Sequence, residues 1–131
     1  MPVLVDFIGD GKINSFFYKE RLSVMETPSD IFARIEKKIW ERFEEFSVIN
    51  SIYKFILDGP SGGIWIVDLR KDSFGVRLGD EEADCTVRIL DEDFVRLANG
   101  RLKAEYAFIM GKVKLYGDIR LATKLGGLFK R

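Results

Sequence analysis

The chain has no histidine, no glutamine and a single cysteine among its 131 residues. Without histidine, neither a Ser-His-Asp triad nor a Cys-His pair can be assembled, which removes the commonest routes to nucleophilic catalysis. Cys85 has no partner for an intramolecular disulfide, so a reducing compartment is favoured. At an inward strand position it reads as inert core rather than a reactive thiol. Zinc has no ligand set here. The acidic runs Asp80–Glu81–Glu82 and Asp91–Glu92–Asp93 do not follow the spacing of a calcium loop. Gly59–Pro60–Ser61–Gly62–Gly63 lacks the Lys-Ser/Thr pair that completes a phosphate loop. No catalytic constellation, metal or cofactor is therefore expected. Only three asparagines accompany the missing glutamines, and 32% of residues are charged. That balance suggests a thermophile.

Other absences concern location and partners. The N-terminus lacks the basic region and apolar run of a signal peptide. No apolar stretch approaches the ~20 residues needed to cross a bilayer. The chain ends Phe129–Lys130–Arg131 rather than in a peroxisomal tripeptide. A cytoplasmic location is the expectation. Formal net charge is zero, so long-range attraction to nucleic acid is not expected. The charges are nevertheless segregated. Residues 101–131 carry eight bases and two acids, a balance of +6, and residues 58–93 carry ten acids and four bases, a balance of −6. A basic surface near the C-terminus suits anionic membranes or partners; plain solvated faces would look the same.

What is present is apolar material, 47% of the chain with eleven phenylalanines, enough for one domain with a single core. Thr27–Pro28–Ser29–Asp30 predicts a helix start, with Thr27 as N-cap and Pro28 in the first turn. Ile31, Ile35, Ile39 and Phe43 then recur four apart, widened by Phe32 and Trp40. Val48–Leu57 predicts a strand, Asp58–Gly63 a hairpin turn and Ile64–Arg70 the return strand, with Phe74–Leu78 after a further turn. Cys85, Val87 and Ile89 alternate with Thr86 and Arg88, the pattern of a half-buried strand. Asp91 is expected to cap a short helix that buries Phe94 and Leu97 and stops at Gly100. Ala104–Met110 predicts a second short helix and Lys112–Tyr116 a strand. A final amphipathic helix capped by Asp118 carries Ile119, Ala122, Leu125, Leu128 and Phe129. The fold class is α+β: a mostly antiparallel sheet of about five strands with helices over one face.

The order of these pieces carries a resemblance. Ala83–Asp84–Cys85–Thr86 opens a strand that runs directly into the acidic helix start Asp91–Glu92–Asp93–Phe94. Gly100–Arg101–Leu102 marks a helix exit. Ala107–Phe108 is followed closely by Gly111–Lys112–Val113–Lys114. Upstream, Asp58–Gly59–Pro60 and Trp65–Ile66–Val67–Asp68–Leu69 suit a first hairpin. Over roughly residues 35–130 this set resembles the sterol carrier protein type two (SCP-2-like) lipid-binding domain family. The resemblance implies an apolar tunnel for acyl chains, sterols or similar amphiphiles, and divides the chain into an extension, 1–27, and a lipid-binding domain, 28–131.

Mapped through that resemblance, the ligand-binding candidates are Trp65 and Val67 on a strand, Phe94 and Leu97 on the first short helix, and Ala107, Phe108 and Met110 on the second. Val113 and Leu115 follow on the last strand, and Ile119, Ala122 and Leu125 on the closing helix. Ala104–Glu105 stands where many members have Asn-Pro, and Met110 where Gln is frequent, which makes the cavity drier. The implied function is non-enzymatic binding, transfer or presentation of a fatty acyl chain, sterol-like lipid or isoprenoid quinone. The competing reading is an accessory subunit that scaffolds or presents substrate to a lipid-metabolising enzyme. Transient contact with an anionic membrane through the basic C-terminal segment is a further expectation. Residues 1–27 hold too many large apolar groups for a free tail. A homodimer contact, packing on their own domain, and a lid over the cavity mouth are the uses open to them.

Overall fold

The computed structural model describes residues 26–129; the uses expected of the N-terminal extension concern residues 1–25, which lie outside them. The helix start at Thr27 forms as the sequence predicts. Thr27 Oγ1 accepts the Asp30 N–H at 3.2 Å while Asp30 Oδ2 accepts the Thr27 N–H at 2.9 Å, a reciprocal capping box that satisfies two helix-end donors. Helix α1 (Pro28–Glu41) buries Ile31, Phe32, Ile35 and Ile39 along one stripe. It stops short of the predicted end of that stripe. Arg42 leaves helical geometry at φ −120°, ψ 43°, and Phe43 begins a separate short helix, α2 (Phe43–Ser47). Trp40 is half exposed and packs with Phe43 and Phe74 at the margin of the core.

The first strand starts later than the expected Val48. Ile49 and Asn50 donate N–H groups back to Phe46 and Ser47, and Asn50 takes a left-handed conformation at φ 48°. Residues 48–51 therefore turn, and β1 runs Ile52–Asp58. Strands β2 (Gly63–Asp68), β3 (Gly75–Leu78), β4 (Cys85–Leu90) and β5 (Val113–Gly117) complete one sheet in the order β3-β2-β1-β4-β5. Three of its pairings are antiparallel; β1 with β4 is parallel. Asp84 sets that parallel register: its N–H donates to the Ile52 carbonyl and its carboxylate accepts the Ile52 N–H, both at 2.8 Å. The Asp84 carbonyl then accepts the Asp118 N–H at 2.8 Å, tying the exit of β5 to the same point.

Leu90 occupies the cap position of α3 (Asp91–Ala98), and Asp91 is the first helical residue, a shift of one from the predicted cap. Asp91 instead reaches across to the β1–β2 turn, where its Oδ2 accepts the Ser61 N–H at 2.8 Å. Helix α3 ends through bonds from Gly100 to Leu97 and from Arg101 to Arg96. Helix α4 (Ala104–Ile109) ends through the same pair of bonds, Gly111 to Phe108 and Lys112 to Ala107. Both glycines have positive φ, 76° and 75°, as this C-terminal motif requires. The two Gly-base-apolar triplets seen in the sequence are thus two copies of one helix stop.

The closing element differs in kind from the α-helix expected. Asp118 accepts the Arg120 N–H as predicted, but Ile119–Leu125 winds as a 3₁₀ helix, and only Gly126–Phe129 (α5) is α-helical. Lys38 on α1 donates to the carbonyls of Gly127 and Leu128 at 3.3 and 3.4 Å, a cation placed at a helix C-terminus. The core lies between the sheet and this layer of helices. Phe32 stacks on Trp65 (4.5 Å, 12°) and on Phe94 (5.0 Å, 17°), so a stack of three rings joins β2, α1 and α3.

Candidate functional site

Helix α1 packs over the β3 side of the sheet, which leaves the β1–β4–β5 side to be covered by the last third of the chain. Residues directly opposite each other in a sheet share a face. Phe55, Val87 and Leu115 lie abreast, with Ile89 and Val113 beside them. These five side chains floor an apolar cavity of about 660 Å³. Phe94 and Leu97 from α3 form one wall, with Leu102 beyond the first helix stop and Ala104, Glu105 and Phe108 from α4. Ile119, Ala122, Thr123 and Leu125 from the 3₁₀ helix form another, completed by Gly126 and Phe129. Phe129 meets Phe94 and Phe55 edge to face at 5.8 and 6.4 Å, closing the inner end with aromatic rings.

Phe108 and Ile119, each 54% exposed, are wall residues that also face solvent, and they mark the mouth between α4 and the 3₁₀ helix. The polar side chains on the wall are Glu105 and Thr123. Thr123 spends its hydroxyl hydrogen on the Arg120 carbonyl at 2.7 Å. The Glu105 carboxylate is the other polar group on a wall that is otherwise apolar, so the interior favours apolar matter.

Eight of the twelve sequence candidates meet at this cavity: Phe94, Leu97, Phe108, Val113, Leu115, Ile119, Ala122 and Leu125. Four do not. Trp65 stands behind Phe32, which separates it from Phe94 and the wall. Val67, on the same strand, is fully buried two strands away from β4. Ala107 is buried on the inward side of α4, and Met110, the residue that ends α4, is 55% exposed beyond it. The residues missed are chiefly Phe55, Val87 and Ile89. Alternation marked Val87 and Ile89 as inward, but that β1 and β4 adjoin, and so floor the cavity together, depends on a parallel pairing that no local pattern announces.

Three other ionisable groups lie buried in the fold. Asp68 is fully buried. Burial pushes its carboxyl up, but bonds from Arg70, Ser73 and Arg77 outweigh this and hold it well below the usual carboxylate range. Cys85 is buried, and desolvation, then Asp118 and Asp84, push its thiol up. Tyr53 is raised likewise, chiefly by burial, and donates its hydroxyl to the Leu121 carbonyl at 2.8 Å. Among the described residues no group of acids and cysteine is placed to hold a metal ion, and no helix is long and apolar enough to cross a membrane.

Residues 32–130 match the family model described as the SCP-2 sterol transfer family. The chain belongs to that family. It is 39% identical over 103 residues to sterol carrier protein 2 of Homo sapiens, covering 75% of this chain and 19% of that protein. The chain therefore corresponds to a small part of the length of the curated relatives it matches. Among solved structures, the sterol carrier protein domain 2 of Helicoverpa armigera is 33% identical, with a TM-score of 0.60 over 72% of this chain and 79% of that one. The palmitated SCP2L2 of Aedes aegypti is 26% identical, with a TM-score of 0.68 over 81% and 96%. The α+β architecture with its mostly antiparallel sheet is the fold of this family.

Proposed function

We propose that this chain binds a hydrophobic ligand in the β1–β4–β5 cavity and carries or presents it: a fatty acyl chain, a sterol-like lipid or an isoprenoid quinone. The observation that carries this reading is a cavity of about 660 Å³ whose only polar side chains are Glu105 and Thr123. Cavities of roughly 300–1,000 Å³ suit small-molecule ligands. Burying about ten methylenes at ~0.8 kcal/mol each yields roughly 8 kcal/mol, the scale of a micromolar complex, less the ordering of the ligand chain. Recognition by apolar area with so few polar partners favours broad ligand choice. The role assigned is carriage, without a chemical step. Release at a membrane is helped by the basic C-terminal segment, where each base near an anionic surface adds about 1 kcal/mol of attraction.

Native mass spectrometry of the purified protein, before and after organic extraction, tests the proposal. A co-purifying amphiphile, and displacement of a fluorescent fatty acid from the extracted protein by palmitate or a sterol, are the expected results. A protein that arrives empty and binds no member of the three ligand classes overturns it.

A further inference from the structure

Helix α4 carries more apolar surface outward than inward. Ala107 is its one fully buried residue, while Tyr106 (54% exposed), Phe108 (54%) and Ile109 (79%) face solvent, followed by Met110 (55%). These are four large apolar groups within five consecutive positions. Scattered single apolar residues on a surface need no explanation, but a contiguous patch does. This patch is continuous with the cavity: Phe108 belongs both to it and to the wall, and Ile119, 54% exposed, faces it across the mouth.

Bases frame the same place. Arg101 and Lys103 precede α4, Lys112 follows it with Asp93 at 4.0 Å, and Arg120 and Lys124 adjoin the wall residues Ile119 and Thr123; all five bases are exposed. The acids in this stretch are Glu105 and Asp118, and Asp118 is bonded to Arg120 at 3.1 Å. Apolar side chains standing proud of a convex helix, ringed by positive charge, match an anionic bilayer: the apolar groups enter the interface while the bases meet the headgroups. A symmetric contact with a second copy would set each ring of bases against its twin, at an electrostatic cost. We propose that α4 is the bilayer-docking element of this chain, inserting Tyr106, Ile109 and Met110 so that the cavity mouth opens onto the membrane. The inference rests on the carrier reading for its purpose, but its own observation is the patch.

The test is flotation of the full chain with vesicles of phosphatidylcholine alone, or with about a third phosphatidylserine, beside a Tyr106→Ser/Ile109→Ser double variant. Neither residue lines the cavity, and both are exposed, so the variant keeps its fold, checked by its melting curve. Val48→Ser, at a residue 80% exposed on the α2–β1 turn, is the control. Expected are binding that needs the anionic lipid, a fall of tenfold or more for the double variant, weakening with salt, and no change for V48S. Equal binding by the double variant, or no binding by the full chain, overturns the inference. So does a dimer, seen by light scattering, that the double variant dissolves, since the patch would then serve self-association. Fluorescent fatty acid binding without vesicles is measured on the same proteins. Vesicle binding without any cargo binding would sink the carrier reading and leave the docking element standing.

Discussion

Asp91 and Ser61 meet across thirty positions of sequence: the Ser61 N–H donates to Asp91 Oδ2 at 2.8 Å, while Oδ1 accepts the Glu92 N–H at 2.7 Å. The turn between β1 and β2 is wrapped around this carboxylate. A side chain at Gly59 would collide with it, so the glycine and the acid form one unit. Asp91 is 4% exposed and fully engaged. Asp91→Ala should cost about 2 kcal/mol in denaturant unfolding, with Asp91→Asn close behind, because an amide nitrogen takes the place of one accepting oxygen and can only donate. Glu92→Ala, at an exposed neighbour, should stay within about 0.5 kcal/mol.

The two helix stops make a clean test of backbone strain. A Cβ at Gly100 or Gly111 meets nothing within 4 Å, whereas at Gly117 it falls 2.5 Å from the Asp84 carbonyl oxygen. All three residues have positive φ. Ala at position 100 or 111 should therefore cost about 1–2 kcal/mol, the left-handed conformation alone. Gly117→Ala should cost clearly more, because the main chain at Asp84 must shift as well. Equal losses at the three positions would mean that the Asp84–Gly117 approach adds nothing.

Acid should weaken the fold through Asp68. Its carboxyl is held below the usual value by Arg70, Ser73 and Arg77 against the opposing effect of burial. A depressed folded-state value contributes stability that is complete above the unfolded value, ~3.9, and is lost as pH falls through the folded one. Unfolding free energy should therefore decline from about pH 4 downward, and Asp68→Asn should flatten that decline. At pH 7 the variant should be less stable by about 2 kcal/mol. The loss is limited because the arginines it abandons, 47% and 35% exposed, keep access to water.

At the cavity, mouth and inner wall should respond differently. Phe108→Trp adds bulk where the side chain is half in solvent, so stability should change by less than about 1 kcal/mol. Affinity for a fluorescent fatty acid should fall by roughly tenfold, about 1.4 kcal/mol. Phe94→Ala removes a ring stacked on Phe32 and in contact with Phe55 and Phe129. Its melting curve should show about 3–5 kcal/mol lost. A large loss of stability at Phe108 would show that α4 is held far more tightly than its exposed face implies.

Much of this was legible in the residues. The N-cap at Thr27, the alternation through β4 and the helix stop at Gly100 were readable because each is decided within a few positions. Phe94, Leu97, Phe108, Val113, Leu115, Ile119, Ala122 and Leu125 followed from the resemblance and do meet, whereas Ala107 and Met110 of α4 stay outside the cavity. What was not legible is what the tertiary structure alone decides. The break at Arg42 interrupts a stripe of apolar residues that pattern alone would continue. The 3₁₀ winding of Ile119–Leu125 has the composition of an ordinary amphipathic helix. Trp65 packs against the core, yet α1 lays Phe32 between it and the cavity that the resemblance assigned it to. Phe55 became a floor residue only because β4 inserts beside β1.

That insertion also governs how the chain must emerge during synthesis. When β1, β2 and β3 have formed their antiparallel ribbon, one margin of β1 still lacks a partner, and it stays vacant until residues 85–90 arrive; β4 in turn waits for residues 113–117. A nascent or truncated chain ending near Leu78 would therefore display the unpaired main chain of Tyr53 to Leu57 beside their large apolar side chains. That is a template for pairing with a neighbouring molecule. The middle of this sheet is therefore open to such pairing until residues 113–117 have been made.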